Sequence, residues 1–337
     1  MLLILTIKIF FGKNFLFNYN KMKSNSWLIV AHISDTFEIN DFKRIFRKCQ
    51  KQLTPGTDIY IIYIYHKKQG KIIHITQNSF TVLKGFNQES RSQSVWCNKM
   101  IDYVLERAKP IAMTYYGHGG GLVVGPWKDP WMSLKKFNHI FIKRIRPEII
   151  CFDSCYLGSI VSLYEISKNV KYVLASPAWH PYTSISSLKL FGNLPSFTSQ
   201  NKHQVFKKYI IDMACEFSNI KNSPKYTCLV AFDLSTLDKT IKRIKKLTFT
   251  KEQNLELHDP DTYDLIASVE PYLKNDIEKI VISKDCMSKC PIRIQGMAVS
   301  YQPKNGAWNN YFIRSRWGKL TKTIKINHIG DPKKHSL

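Results

Sequence analysis

No part of this 337-residue sequence is apolar over the roughly 18 or more residues that a membrane-spanning helix needs. The nearest approach, Met1 to Phe11, is short and is interrupted by Thr6 and Lys8, so no integral membrane segment is expected. A basic leader before that run and a small-residue cleavage site after it are also missing, which argues against a signal peptide. Residues 1–21 are read as an extension outside the fold, with Met22 a candidate start. The Gly-x-Ser-x-Gly elbow is absent, which excludes a serine nucleophile of the α/β-hydrolase type despite the run His118-Gly119-Gly120-Gly121. Cys286 and Cys290 have no second pair at metal spacing, and the acidic interval around Glu256, Asp259, Asp261, Asp264 and Glu270 lacks calcium-loop spacing. No metal site is therefore expected. Internal repeats and low-complexity linkers are absent too, which excludes solenoid and tandem architectures.

Acidic residues are few, 25 against 50 Lys and Arg, for a formal charge of +25. Such a surface attracts nucleic acid and other polyanions, yet no recognised nucleic-acid motif accompanies the charge. A basic nucleic-acid-binding protein is kept as an alternative reading, and salt-dependent retention on DNA would discriminate it. The eight cysteines are scattered and several sit in apolar strands, a pattern that suits a reducing compartment. A cytoplasmic location is accordingly expected over a secreted one.

What is present is alternation of strand and helix over an apolar content of 44%, enough for a real core. Trp27 to Ile33 and Thr57 to Tyr65 read as strands flanking a helix from Asp41 to Leu53, with Lys71 to Thr76 as a hairpin partner. A helix from about Ser94 to Ala108 follows. Gly121 to Trp131 reads as surface loop, Gly158 to Ser167 and Val205 to Ser218 as helices, and Tyr226 to Asp233 as a strand. Leu234, Leu237, Ile241, Ile244 and Leu247 recur at helical spacing opposite lysine and arginine, which predicts a basic surface helix. The predicted class is α/β: a three-layer α/β/α sandwich with a mostly parallel central sheet.

The chemistry lies between Ile111 and Pro177. Two short β-prone runs each stop at a reactive side chain beside small residues: Ile111 to Tyr116 before Gly117-His118-Gly119, and Ile149 to Phe152 before Asp153-Ser154-Cys155. Open α/β sheets present their chemistry at such carboxyl ends of strands. A histidine and a cysteine supply a base and a soft nucleophile. Gly119 lets a substrate approach the backbone, so the Gly119 and Cys155 amides could surround one carbonyl oxygen as an oxyanion hole. Cys155 ahead of a helix is expected to have a lowered pKa. The plain alternative for Cys155 is a buried small hydrophobe, and for Asp153 a helix cap. His180, beside Trp179, could line the cleft, but an exposed loop position is the expectation.

His118-Gly119-Gly120 after one strand, Asp153-Ser154-Cys155-Tyr156-Leu157-Gly158 after the next, and Val173-Leu174-Ala175-Ser176 beyond them resemble the clostripain family of cysteine peptidases. That family is related to gingipains, caspases and legumain in the caspase-hemoglobinase fold. Trp27 to Ala31 resembles its opening strand, Tyr226 to Leu234 its strand before a late helix, and Gly296 to Tyr301 its late strand. The resemblance implies a cysteine endopeptidase with His118 and Cys155 as catalytic dyad. It also implies that Asp153 forms the pocket for an Arg or Lys at P1, the residue on the acyl side of the cut. The sequence departs from the family pattern where Pro177-Ala178-Trp179-His180 follows Ser176 in place of acidic residues. Calcium dependence is implied by the resemblance alone, as is self-cleavage after a basic residue such as Lys128, Lys135, Lys136 or Lys143. The expected organisation is a caspase-like catalytic core over residues 22–234 and a C-terminal helical and strand addition over 235–337, acting as a monomer on protein or peptide substrates. A catalytically inactive caspase-fold scaffold is the principal alternative.

Overall fold

The computed structural model describes residues 26–33, 47, 50, 51, 53, 57–65, 69–87, 93–125, 131–178, 180, 201–218, 229–250, 262–283, 297–300 and 307–329. The expected segments 1–21 and most of 41–53 lie outside these residues.

The core is organised around β1 (Ser26–Ile33), every residue of which is buried. Alternation of side chains across the pleat sends Leu28 and Val30 into one apolar layer and Trp27, Ile29, Ala31 and Ile33 into another. A strand with both faces covered reads as a continuous apolar run, as Trp27 to Ala31 does. β1 pairs in parallel with β2 (Asp58–Tyr65) on one side and β5 (Pro110–Tyr116) on the other. Across the β1–β5 pair the Trp27 indole N–H donates to Thr114 Oγ1 at 2.9 Å.

Beyond β2 the sheet continues through the antiparallel strands β3 (Gln69–Ile75) and β4 (Phe80–Asn87), the latter an edge strand that the sequence reading did not anticipate. On the other side β5 pairs in parallel with β9 (Ile149–Asp153) and β9 with β10 (Tyr172–Ala175). The antiparallel β11 (Val230–Asp233) closes that edge, giving the order β11-β10-β9-β5-β1-β2-β3-β4. A central sheet that is mostly parallel with antiparallel edges is the predicted α/β architecture.

Helices fill both faces. On one side α1 (Gln93–Leu105) contributes Trp96, Cys97, Met100 and Ile101 to the larger apolar layer. The helical run α2 (residues 134–145), with a π-helical turn at Asn138–Ile142, adds Phe137, Phe141 and Ile142. α3 (Ile160–Ile166) is buried along its whole length. On the opposite face α4 (Lys202–Ser218) supplies Phe206, Ile210, Met213 and Ala214.

The C-terminal third packs on the first of these faces. Its elements include α5 (Leu237–Ile241), β12 (Lys246–Thr250), β13 (Thr262–Asp264), α6 (Pro271–Glu278), β14 (Ala298–Ser300), α7 (Ala307–Arg314), α8 (Arg316–Thr321) and β15 (Lys325–Ile329), with a single helical turn at Leu265–Ser268. Trp317 and Ile324 belong to the same apolar layer as Leu28, so the hydrophobic core runs on without a break into this part of the chain. Arg316 is the main polar tie. Its backbone N–H donates to Glu165 at 2.9 Å, and its guanidinium reaches Ser167 Oγ at 3.1 Å, the Tyr164 carbonyl and Asp238 while lying over the Tyr164 ring.

Two expectations are corrected. The basic helix predicted from 234 to 247 is a 3-10 turn and the short α5, after which Lys246–Thr250 is extended and pairs with β15. Leu247 and Phe249 are buried as alternate residues of that strand, where β-sheet pairing overrides a pattern that also fits helical spacing. The late strand β14 pairs with β13 in a separate two-stranded sheet. Gly121 to Trp131 is not wholly surface loop: β6 (His118–Gly119), β7 (Val123–Gly125) and β8 (Met132–Ser133) form a small sheet, and Val123 and Val124 are fully buried.

Candidate active site

The carboxyl ends of β5 and β9 are neighbours. Tyr116 and Asp153 are register partners in this parallel pair, and His118 and Cys155 each lie two residues beyond that rung. Paired strands run about 4.8 Å apart. The topology thus delivers the imidazole and the thiol to one edge of the sheet, beside β1, where the chain's strand order changes direction.

Gly119 makes the close approach between the two loops. A Cβ built on it would lie 2.3 Å from Ser154 Oγ and 2.6 Å from the Cys155 carbonyl oxygen, distances no real Cβ tolerates. Only glycine allows β6 to lie against the cysteine turn. Past the cysteine, Tyr156 adopts a left-handed backbone with φ 59°, which reverses the chain sharply. Two backbone bonds then tie this turn to the segment after β10: Tyr156 N–H to the Ala178 carbonyl at 2.9 Å and Gly158 N–H to the Ser176 carbonyl at 2.7 Å.

Residues that the sequence reading did not single out hold the histidine. Tyr115 Oη donates to the His118 carbonyl at 3.1 Å, and His32 Nδ1 sits 3.3 Å from the same hydroxyl. Burial pushes the His32 pKa down to about 4, so this imidazole is neutral. With the tyrosine proton directed at His118, His32 carries its own proton on Nδ1 and donates it. The ring of His118 itself is half-buried, edge-on to Trp131 at a centroid distance of 6.3 Å. A tyrosine inside an apolar strand carries no signal of such a role in one sequence.

The cysteine departs from expectation. α3 starts at Ile160 with Ser159 as its cap, so the free N–H groups of that helix serve Ser159 and not the thiol. Burial instead raises the Cys155 pKa to about 11, with a hydrogen bond from the His180 N–H lowering it and the Asp153 charge raising it further. The sulfur accepts from His180 N–H at 3.2 Å and donates to the His180 carbonyl at 3.3 Å. Alkylation of Cys155 by iodoacetamide, read by peptide mass spectrometry, is therefore expected to accelerate about tenfold per pH unit from neutrality and to level off only near pH 11. A plateau below pH 9 would contradict this.

His180 is the largest surprise. Expected as exposed, it is buried, with its Nε2 2.7 Å from Asp153 Oδ1, and the two side chains are 2% and 3% exposed. Asp153, offered by the sequence as a P1 carboxylate, thus already has a partner. Among the described residues no group of three or more His, Cys, Asp and Glu side chains is placed to hold a metal ion. Cys286 and Cys290 lie outside them. A cavity of about 210 Å³ lined by Phe249, Val299, Phe312 and Trp317 belongs to the C-terminal elements and contains neither His118 nor Cys155. Among the described residues no helix is long and apolar enough to cross a membrane.

A family model described as the clostripain family matches residues 129–290, a span that holds Asp153, Cys155 and His180 and begins after His118. The chain is also similar to a solved secreted C11 cysteine protease from Bacteroides thetaiotaomicron, "iotapain", at 13% identity and a TM-score of 0.62, covering 88% of this chain and 99% of that one. A secreted C11 cysteine protease from that organism in complex with an irreversible peptide inhibitor aligns at 11% identity and a TM-score of 0.60, covering 88% and 98%. An inactive zymogen C11 protease from Parabacteroides distasonis aligns at 12% identity and a TM-score of 0.56, covering 89% and 98%. At these identities the likeness establishes the fold. No curated protein matches the chain. The expectation of a cytoplasmic, reducing compartment is corrected here, since the two Bacteroides proteins are described as secreted and Cys215 of this chain is disulfide-bonded. Scattered cysteine spacing could not reveal that bond, because pairing depends on distance in the fold. The mostly parallel sheet, the paired strand ends and the match over residues 129–290 agree: this chain has the fold of the solved C11 proteases and is similar, over that span, to the clostripain family of cysteine peptidases.

Proposed function

We propose that this protein is a cysteine endopeptidase working through a His118 and Cys155 dyad and cleaving after Arg or Lys. The observation that carries the reading is the shared rung Tyr116–Asp153, from which both reactive residues are equally displaced, with Gly119 packed against the cysteine turn. In the first half-reaction the Cys155 sulfur adds to the scissile carbonyl carbon while its proton passes to the His118 imidazole. The backbone N–H groups of Gly119 and Cys155 stabilise the resulting oxyanion. Collapse breaks the C–N bond, and the departing amine takes the proton from His118. Water, deprotonated by the same imidazole, then hydrolyses the thioester and restores the thiol. Asp153 is the acidic group that matches a cationic P1 side chain. Proteins or peptides are the proposed substrates of a monomeric enzyme acting outside the reducing cytoplasm, with no specific nucleic acid and no required cofactor. Calcium is an added condition to be varied in the assay.

The protonated, backbone-held thiol favours a second reading, a scaffold of this fold that has stopped catalysing. Hydrolysis of fluorogenic peptides differing only at P1, with Arg, Lys, Asp, Asn and Leu compared with and without calcium, separates the two. Turnover confined to Arg and Lys is expected. Turnover at another P1 would retain the dyad and remove Asp153 from recognition, and no turnover from folded protein would leave the scaffold.

A further inference from the structure

His180 makes two kinds of contact that belong to different parts of the reaction. Its side chain holds Asp153 through Nε2 and Oδ1 at 2.7 Å, while its backbone brackets the Cys155 sulfur at 3.2 and 3.3 Å. Asp153 Oδ2 is buried and has no hydrogen-bond partner among the described residues. We propose that His180 is a specificity-determining residue that couples recognition of a cationic P1 side chain at Asp153 to release of the Cys155 thiol. This rests on the peptidase reading above and adds to it the reason an apolar substrate fails.

The physical basis is that a buried carboxylate cannot lose its partner without a replacement. An incoming Lys or Arg brings a donor and a positive charge, so it can take the place of the imidazole on Asp153. A leucine brings neither, and displacing His180 for it would leave the carboxylate buried and uncompensated. Discrimination therefore comes from a penalty on the wrong substrate as well as attraction for the right one. In this proposal the Nε2–Oδ1 bond anchors residue 180 against the sulfur, so loss of that anchor lets its backbone N–H and C=O withdraw and frees the thiol when the correct side chain is seated.

The test uses the full chain with His180→Ala and His180→Gln, the second able to keep one hydrogen bond to Asp153. Two quantities are read: the alkylation rate of Cys155 by iodoacetamide without substrate, and kcat/KM for matched P1 Lys and P1 Leu peptides. His180→Ala is expected to alkylate at least several-fold faster than wild type and to lower the Lys-to-Leu ratio about tenfold, with His180→Gln between the two. A merely structural role would lower both peptide rates together and leave their ratio unchanged, and a partly unfolded sample gives that same constant ratio. If Ala does not fold, the Gln variant is expected to shift both quantities in the same directions. Wild-type cleavage of P1 Lys with an unchanged ratio and unchanged alkylation in the variants would overturn the coupling while leaving the peptidase standing. Failure of wild type to cleave either peptide would overturn both.

Discussion

Cys155→Ala is expected to lower kcat/KM on every cleaved peptide by at least about 10,000-fold, since the residual rate without the nucleophile comes from binding and the oxyanion site alone. The fold should survive. Cys155 is only partly buried and its sulfur contacts are to backbone that other bonds already hold, from Tyr156 to Ala178 and from Gly158 to Ser176. Circular dichroism and the urea midpoint should therefore stay close to wild type while hydrolysis of a P1 Lys peptide disappears. Wild-type turnover in the alanine protein would place the nucleophile elsewhere. Among the described free cysteines, Cys97 and Cys151 are buried, and burial raises the pKa of each, to about 12 for Cys97. Neither is a ready substitute.

The second large effect belongs to Gly119. Its added Cβ in Gly119→Ala would have to push aside Ser154 Oγ and, harder, the backbone oxygen of Cys155. Backbone cannot rotate out of the way as a side chain can, so β6 and the cysteine turn must separate. A displacement near 1 Å between reacting groups costs on the order of 100-fold in rate, and kcat/KM is expected to fall by at least that much. The same separation disturbs the Gly119 amide proposed for the oxyanion, so the loss should fall on kcat more than on KM. Kinetics on a P1 Lys peptide check this, and an alanine variant with wild-type kcat would show that the two loops do not need their close contact.

Much of the fold was legible in one sequence because it rests on local pattern. The apolar run from Trp27 to Ala31 reads as a strand covered on both sides, and Leu28 and Trp27 do enter opposite layers. Likewise the strands ending at Tyr116 and Asp153 were readable from β-prone residues followed by glycine or by serine. The segment from 234 to 247 was misread for a physical reason. Leu237 and Ile241 fit a helix, while Leu247 and Phe249 alternate in a strand, and a single spacing argument cannot see where one period gives way to the other.

The chemical residue types and their order along the chain, His118 then Cys155 at the ends of two strands, were determined by the sequence itself, because strand-forming runs and small-residue turns are local properties. Tertiary structure alone decided how those residues are tuned. It brought His180 across from the far side of β10 to bind Asp153 and bracket the thiol, set Tyr115 and His32 behind the histidine, and buried Cys155 enough to raise its pKa where a helix dipole would have lowered it. Each of these depends on the distance between groups far apart in the chain and on the water excluded between them, and neither quantity exists until the chain has folded.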